Sequence, residues 1–225
     1  LPLPWERAGE GNKPKACLPV SENVQYLISE SIVNTARLFF EMAITYHKRN
    51  HTMPSVKVWD LPVRLCHWAL AACVLANLAF TESGSDLHEL AGYTAVGIVA
   101  FRLLWGLIGS RHARFSDFWP TPARLKAHWQ QLKHGQTSPH PGHNPFGALM
   151  MLALWAVVLG LGISGYLMGT DRFWGDDAVE AIHETLADGL MVLVGLHIAA
   201  ALLMSYLEKT NLVRAMITGV KKRPD

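Results

Sequence analysis

Four stretches of this chain are apolar and long enough to cross a lipid bilayer, and they constrain its fold more than any other feature. They cover residues 63–80, 88–109, 146–169 and 183–207. A helix needs about 17 to 25 apolar residues to cross the hydrocarbon, and backbone polar groups in lipid must be satisfied within the segment. The sequence therefore predicts an all-α integral membrane protein, built as an up-and-down bundle of four helices.

Composition supports this class and excludes several others. Charged residues make up 17% of the chain, below the roughly 25% of ordinary soluble domains. A formal net charge of +2 is too small for a protein that binds nucleic acid. The three cysteines include no C-x-x-C pattern, which excludes a disulfide scaffold, a thiolate zinc site and covalent attachment of a c-type haem.

The distribution of lysine and arginine predicts how the spans are oriented. Basic residues concentrate in cytoplasmic loops. From residue 53 onward, twelve lysine and arginine residues lie at the entry to the first span, between the second and third spans, and after the fourth, whereas the other two loops hold only Arg172. We therefore expect a multi-pass membrane protein with both termini in the cytoplasm. The twelve are Lys57, Arg64, Arg111, Arg114, Arg124, Lys126, Lys133, Lys209, Arg214, Lys221, Lys222 and Arg223.

Two regions outside the spans have their own character. After Pro122, the long inner loop alternates tryptophan and leucine with basic residues, a pattern that predicts a helix lying along the membrane surface; a partly disordered loop is the alternative. Residues 1–52 open with a segment rich in proline and glycine and contain no run long enough to span. We interpret residues 1–52 as a disordered extension or a mis-assigned start, and residues 53–225 as the membrane domain.

Histidines within or beside the spans fall at two matching depths. His183 and His197 are fourteen residues apart, which is about 21 Å and close to four helical turns, so that they face the same way. His67 and His197 lie equally far from the outer surface, whereas His88 and His183 both lie near it. The sequence therefore predicts two cross-helix pairs, His67 with His197 and His88 with His183.

Paired imidazoles on facing helices suit a haem iron, which takes one axial ligand from each side of a flat apolar macrocycle. A zinc or di-iron site would require three or four converging ligands, with carboxylates among them. A histidine in a membrane helix can also serve as an interhelical hydrogen bond or as part of a proton relay. Four histidines at paired depths favour two b-type haems in the bundle interior, and most of the other seven histidines are interpreted as solvated surface residues.

Three further residues are candidates for contacts with a cofactor. Arg64 and Arg102 lie at the inner ends of their spans and could neutralise haem propionates, although snorkelling to the lipid headgroups is an equal alternative. His143, just before the third span, could contact a quinone or a propionate, because imidazole exchanges a proton near neutral pH. For its neighbours we favour a helix start, with Asn144 as the N-cap and Pro145 at the first helical position.

A set of motifs in a fixed order runs through residues 56–223. The motifs are VWDLPVRLCHW, LHELAGYTAVG, FRLLWGLIGSRHARF, GHNPFGALM, IHETLADGLMVLVGLHIAA and NLVRAMITGVKK. Together they resemble the bacterial cytochrome b561 family, which includes the cytochrome b subunits of nickel-iron hydrogenases. The resemblance implies that two haem b groups are held at the positions matched here by His67, His88, His183 and His197, the same four residues that the depth argument selects.

The resemblance also implies a location, the bacterial inner membrane, and a function, transmembrane electron transfer between the quinone pool and a redox partner. That partner could be a periplasmic c-type cytochrome or a hydrogenase, and a second copy of the chain is a candidate for a homodimer. One alternative is a self-sufficient oxidoreductase that passes electrons from superoxide to quinone. Another is a haem-free membrane protein whose histidines relay protons, and a visible spectrum without b-type bands would favour that one.

Overall fold

A computed structural model describes residues 55–134 and 142–222, and the predicted extension at residues 1–52 lies outside them. Seven helices and a two-stranded ribbon occur in the described ranges. The elements are β1 (Ser55–Lys57), α1 (Leu61–Ala79), α2 (Asp86–Ile108), α3 (Phe115–Phe118), α4 (Pro122–Lys133), α5 (Pro145–Met168), α6 (Asp177–Leu207), α7 (Leu212–Thr218) and β2 (Val220–Lys222), with a single 3-10 turn at Arg111–Ala113.

Four of these helices, α1, α2, α5 and α6, are long and apolar enough to cross a membrane. They contain 19, 23, 24 and 31 residues, and they confirm the predicted helical membrane bundle. Large apolar side chains lie exposed along them, including Leu104, Ile163 and Leu203. Such a surface is unfavourable in water and suits contact with lipid.

The start of the fourth span differs most from the prediction. The helix begins at Asp177 rather than at residue 183, where the apolar run begins. Asp176 caps it by accepting hydrogen bonds from the backbone N–H groups of Ala178 and Val179. Asp177 and Glu180 in the first turn stabilise the positive end of the helix dipole. The predicted start of this helix relied on uncharged apolar residues. The prediction therefore missed the beginning of the helix, which contains acidic residues.

Residue contacts show that α1 and α2 run antiparallel. The start of α1 meets the end of α2, where Trp105 donates a hydrogen bond to Asp60, and the end of α1 meets the start of α2, where Asn77 donates to the carbonyl of His88. Between α2 and α5, a Cβ added at Gly162 would overlap the side chain of Val96. The backbones of α2 and α5 therefore approach closely at this glycine.

The core of the bundle lies where α2, α5 and α6 meet. Its buried members are Ala95, Val99, Trp155, Val158 and Leu190. A second, smaller cluster closes the inner end of the bundle and joins the segment before α1 to the segment after α6. That cluster consists of Val58, Trp59, Val63, Ala113 and Ala215.

The ribbon fastens the C-terminal segment to the approach to α1. β1 pairs antiparallel with β2, and the backbone N–H groups of Val58 and Trp59 both donate to the carbonyl of Gly219. Gly219 ends α7 in the left-handed conformation, with φ of +79°, which suits glycine. A Cβ there would lie 2.6 Å from the carbonyl oxygen of Trp59, so this position requires glycine. The sequence reasoning did not predict the ribbon.

The segment predicted to form an interfacial helix is helical in the structure. α4 begins after Thr121, whose hydroxyl accepts a hydrogen bond from the backbone N–H of Arg124. Its side chains contact the start of α5, with the rings of His128 and Trp129 centred 5.5 and 6.3 Å from that of Phe146. This helix therefore lies against the inner end of α5.

Candidate functional site

The first predicted histidine pair forms between α1 and α6. The ring centroids of His67 and His197 are 6.3 Å apart, with an interplanar angle of 49°. Both side chains are half-buried. In the part of the chain that the structure describes, Nδ1 of His67 is buried and has no hydrogen-bond partner. A buried polar atom left unpaired is costly. An unpaired atom at this place is therefore consistent with a site that a non-protein group completes.

The second predicted pair forms between α2 and α6. The ring centroids of His88 and His183 are also 6.3 Å apart, with an interplanar angle of 59°. Hydroxyl groups hold both rings at Nδ1: Ser164 Oγ lies 2.8 Å from that atom of His183, and Thr81 Oγ1 lies 3.3 Å from that of His88. These contacts fix the rings and leave each Nε2 available for another ligand.

The spacing of each pair fits one iron atom between the two rings. An imidazole nitrogen lies about 1.1 Å from its ring centre, because bonds of about 1.33 Å close the five-membered ring. Metal–nitrogen bonds are about 2 Å long. Two rings that coordinate one iron from opposite sides therefore have centroids about 6.3 Å apart, and both pairs show this separation.

The described ranges contain no group of three or more histidine, cysteine, aspartate or glutamate side chains that could hold a metal ion. A bare zinc or di-iron centre would need such a group. Two protein ligands suffice only when another molecule supplies the remaining donors, as the haem macrocycle does. The donor set in this chain therefore fits axial ligation of haem.

Arg102 lies buried in the inner half of the bundle. Only 4% of its surface is exposed, and its guanidinium lies 5.5 Å from the ring centre of Trp155. Nη1 donates to the carbonyl of Ala113, whereas Nη2 is buried and has no partner among the described residues. Asp60 lies within electrostatic range of this guanidinium, and the unpaired Nη2 can donate a hydrogen bond to a further anion from outside the protein.

Arg64 lies at the junction of α1 with the C-terminal segment. Its Nη1 donates to the carbonyl of Thr218 at 3.3 Å, and its Nη1 lies 3.0 Å from where a Cβ at Gly219 would be. In the described part of the chain, its Nε is buried without a partner. Arg64 therefore contacts the protein through Nη1, and its Nε is available to donate a hydrogen bond to another group.

His143 lies between two aromatic rings at the entrance to α5. Its ring centroid is 4.6 Å from that of Trp59 and 5.3 Å from that of Phe118. Burial, followed by the positive charge of Arg102, lowers the pKa of His143 to about 3, so the ring is neutral at physiological pH. The adjacent helix start is confirmed, because Asn144 accepts from Gly147 N–H and Pro145 begins the helix.

Two histidines interpreted as surface residues have other environments. His128 is only 4% exposed, and Nδ1 of His112 lies 2.9 Å from Oδ2 of Asp117. Both belong to the polar inner loop, whose composition favoured solvation, and tertiary contacts of α3 to α5 override that preference. Among the remaining five, His134 is exposed and His143 is enclosed as described; His47, His51 and His140 lie outside the described ranges.

Sequence reasoning missed the hydroxyl groups that orient the outer pair. Ser164 is the only serine or threonine in the apolar helix α5, and Thr81 follows the end of α1. A hydroxyl within an apolar run is a usable indication of a buried polar contact. Its partner cannot be identified without knowing how the helices are rotated.

A helical membrane bundle that pairs histidines across its interior is typical of membrane-embedded b-type cytochromes. The sequence profile described as prokaryotic cytochrome b561 matches residues 58–219, and the chain belongs to that family. It is thus a membrane b-type cytochrome, a class that carries electrons through haem b.

Similar proteins of known sequence agree with this membership. One from Bradyrhizobium diazoefficiens is 22% identical over 219 aligned positions, which cover 76% of this chain and 88% of that protein. Two more, from Azotobacter vinelandii and Azotobacter chroococcum, are 26% and 25% identical and cover 76% of this chain and 92% of each relative. All three carry the name "Probable Ni/Fe-hydrogenase B-type cytochrome subunit".

Proposed function

We propose that this protein is a diheme cytochrome that carries electrons across the bacterial inner membrane, between the quinone pool and a redox partner. The observation that carries the proposal is the pair of histidine sites, each with ring centroids 6.3 Å apart. His183 and His197 are fourteen residues apart on α6, which separates the two sites by about 21 Å along that helix. Two sites at this separation can relay electrons through much of the membrane thickness.

In this proposal His67 and His197 hold the inner haem, and His88 and His183 hold the outer one. Each haem b, when bound, takes up and returns one electron at its iron. Two histidines would hold each haem, so that the protein would leave no coordination position open for oxygen. The chain thereby favours electron transfer over chemistry at the metal.

Other side chains position and balance the two groups. Ser164 and Thr81 contact the rings of the outer pair at Nδ1. A hydrogen bond to this nitrogen fixes the orientation of a histidine whose other nitrogen is a ligand. At the inner site, the unpaired nitrogens of Arg102 and Arg64 are suited to propionate carboxylates, because an arginine–carboxylate hydrogen bond is charge-assisted. His143 is assigned to the same inner region.

The membrane orientation follows from the distribution of charge. With twelve lysine and arginine residues beside the inner ends of the spans, both termini are assigned to the cytoplasm. The outer loops then face the periplasm, and the haem held by His88 and His183 exchanges electrons with the partner there. We place the electron-transfer unit within residues 53–225, since the family profile matches residues 58–219.

The names of the relatives support a hydrogenase as that partner. All three described relatives are named as probable cytochrome subunits of a Ni/Fe-hydrogenase. We therefore favour a hydrogenase over a periplasmic c-type cytochrome or superoxide. Electrons from the partner would enter at the outer pair, cross to the inner pair and leave to a quinone.

Alanine variants of the four histidines test both the haem number and the pairing. Each single variant is expected to lose about half of the b-type absorbance in a reduced-minus-oxidised spectrum, because one axial ligand is removed. His67→Ala combined with His197→Ala should lose no more than either alone, since both serve one haem. His67→Ala combined with His183→Ala should remove both haems.

His134→Ala is a matched control, because His134 is an exposed histidine at the end of α4. Its spectrum should equal that of the unmodified protein. A full spectrum in all four single variants would refute ligation by these residues. Equal losses in every double variant would refute the pairing.

A further inference from the structure

Asp188 is a charged residue within the apolar part of the fourth span. That part covers residues 183–207, so Asp188 lies five residues inside it, and its side chain is exposed on the surface of α6. Charged residues within membrane helices are costly, and they normally face the bundle interior or pair with another charge. An exposed carboxylate in this span therefore calls for a partner from outside the bundle.

The packing of α6 on α5 gives the depth of Asp188 in the membrane. A Cβ added at Gly160 of α5 would lie 3.1 Å from Cδ1 of Leu186, so these two residues lie level with each other. Gly160 is eight residues from Met168, where α5 ends, and Asp188 lies two residues deeper than Leu186. Together these ten residues correspond to about 15 Å of helix. Because the hydrocarbon is about 30 Å thick, Asp188 lies near the middle of the bilayer.

Asp188 points away from both histidine pairs. Successive residues of an α-helix are rotated by about 100°, which turns Asp188 by about 140° from His183 and by about 180° from His197. Within residues 55–134 and 142–222, its carboxylate makes no hydrogen bond or ion pair. The carboxylate therefore serves neither histidine site and no contact within the described fold.

The face of α6 that carries Asp188 suits the close approach of another helix. Four small residues on it, Ala181, Thr185, Gly195 and Ala199, lie within about 60° of Asp188 around the helix axis, and all four are exposed. A Cβ added at Gly195 would meet no atom within 4 Å. Small residues allow helix backbones to approach closely in a membrane. A helix that packs on this face would therefore come within reach of the carboxylate.

A second copy of this chain would not supply an opposite charge. The four spans contain two arginines and no lysine; Arg64 lies near the inner end of α1, and Arg102 is only 4% exposed. If two copies met symmetrically through α6, their Asp188 carboxylates would face each other, and like charges in contact are unfavourable. The charge of this face is instead complementary to a cation from a different protein.

We propose that this face of α6 binds a transmembrane helix of another protein, and that Asp188 pairs with an arginine or lysine near the middle of that helix. Each of the two charges would be costly alone in lipid, and each satisfies the other in the complex. The partner helix would pack beside α6 at the depth between His183 and His197. This inference concerns assembly and goes beyond the proposed electron transfer.

The pairing gives selectivity among membrane helices. An apolar helix can pack on the small residues of α6, but it leaves the carboxylate without a partner. A helix with a central acidic residue is repelled, which discriminates against it. A helix with a central cation gains a polar contact, and such a contact strengthens association in a membrane on the order of tenfold.

Synthetic polyleucine helices with one central substitution test the proposal. The haem-loaded full chain, labelled with a fluorescent donor, is reconstituted in phosphatidylcholine vesicles, and energy transfer to acceptor-labelled helices reports association. We expect the helix with a central arginine to bind on the order of tenfold more tightly than the all-leucine helix. This preference should disappear in Asp188→Leu and persist in Asp171→Asn, the matched control, whose carboxylate lies in an outer loop.

The reduced-minus-oxidised spectrum of each variant is the second readout. Because Asp188 faces away from both histidine pairs, the spectrum of Asp188→Leu should equal that of the unmodified protein. Loss of b-type absorbance in Asp188→Leu would overturn the assignment of this residue to a partner-binding face. Equal binding of the arginine and all-leucine helices to the unmodified protein would overturn the pairing with a cation.

Stepwise photobleaching of the labelled chain alone in the same vesicles tests a second copy as the occupant of this face. The number of bleaching steps is expected to be the same in Asp188→Leu as in the unmodified chain, because the proposed partner is a different protein. A change from two steps to one in Asp188→Leu would show that the face joins two copies of this chain, and it would overturn the proposal.

Discussion

The two halves of the bundle hold their histidine pairs by different means. In the outer half, neutral hydroxyls of Ser164 and Thr81 contact the rings directly. In the inner half, charged residues and the chain segments that flank the bundle dominate: Asp60 joins α1 to α2, and Lys221 is paired with Glu208. The outer rings are thus oriented by direct side-chain contacts, whereas the inner end of the bundle is fastened by contacts between segments distant in sequence.

The two ends of the bundle differ in how many chain segments meet there. At the outer end, the hydroxyls that contact the rings come from Ser164 on α5 and from Thr81 in the turn after α1. The inner end also has to accommodate the long loop that carries α3 and α4 and a cavity beside His143. More segments meet there, and a greater number of non-local interactions is needed to fix them.

The largest expected effect in this comparison comes from the inner ion pair. Lys221 Nζ lies 3.1 Å from Glu208 Oε2, and the two side chains are 10% and 2% exposed. Removing one partner of such a pair costs about 3 to 5 kcal/mol, because the other charge is left buried. Lys221→Met should therefore lower the thermal midpoint in detergent, with the inner haem released before the outer one.

The matched control is the double variant Lys221→Met with Glu208→Gln. It removes both charges and is expected to recover part of the lost stability, because no uncompensated charge stays buried. Simultaneous release of the two haems in Lys221→Met would contradict the idea that this pair supports the inner half specifically.

A smaller effect is expected at Asp60, which connects α1 with α2. Its carboxylate caps α1 by accepting from Val63 N–H and also accepts from Ser110 and Trp105. Asparagine can still cap α1 through its amide oxygen, but it removes the charge and one of the two acceptor oxygens, and loss of hydrogen bonds to a charged group costs on the order of 2 kcal/mol. We expect Asp60→Asn to reduce the free energy of unfolding at pH 7 by about this amount, with Asp171→Asn as the unaffected control.

The effect of Asp60 should also depend on pH. Burial opposes its ionisation, but hydrogen bonds from Ser110, Val63 and Trp105, with the charge of Arg102, outweigh it and hold the carboxyl pKa below its usual value. Asp60 therefore stabilises the fold above its unfolded pKa of about 3.9, and this contribution is lost as the pH falls through the lower folded value. The difference between Asp60→Asn and the unmodified protein should shrink below pH 4.

The smallest expected effect concerns the outer half. Ser164→Ala removes the hydroxyl 2.8 Å from Nδ1 of His183, and loss of such a contact typically weakens metal binding at least about tenfold. Titration of the apoprotein with haem should show weaker binding at the outer site and no change at the inner one. Thr185→Ala is the control, because that hydroxyl donates to the carbonyl of Ala181 on its own helix. If the outer site binds haem with equal affinity in Ser164→Ala and Thr185→Ala, Ser164 has no role in supporting that site.

Much of the fold could be predicted from local properties of the sequence. The apolar runs define four spans, and three of the four helices begin and end within two residues of the expected positions. The fourth begins earlier, because a capped and acidic first turn extends the helix beyond its apolar part. Hydrophobicity indicates which residues contact lipid, but it does not indicate how far a helix extends beyond the membrane.

The candidate site was predictable in part for a similar reason. Helical rise alone placed His67 level with His197 and His88 level with His183, and both pairs come together in the structure. Depth along an axis follows directly from residue number. Rotation about that axis does not, so the sequence could not identify Ser164 and Thr81 as contacts of the outer pair.

The amino-acid sequence by itself determined the membrane spans, the depth of each histidine and the balance of charge between the two faces. These depend on composition and on distance along one helix. Only the tertiary structure decided that Asp117 and His112 form a pair beside a cavity. It also decided that strand β2 (Val220–Lys222) pairs with β1 and so fastens the C-terminal segment to the approach to α1. Both features join residues through contacts whose free energy depends on how separate elements pack, which no local pattern encodes.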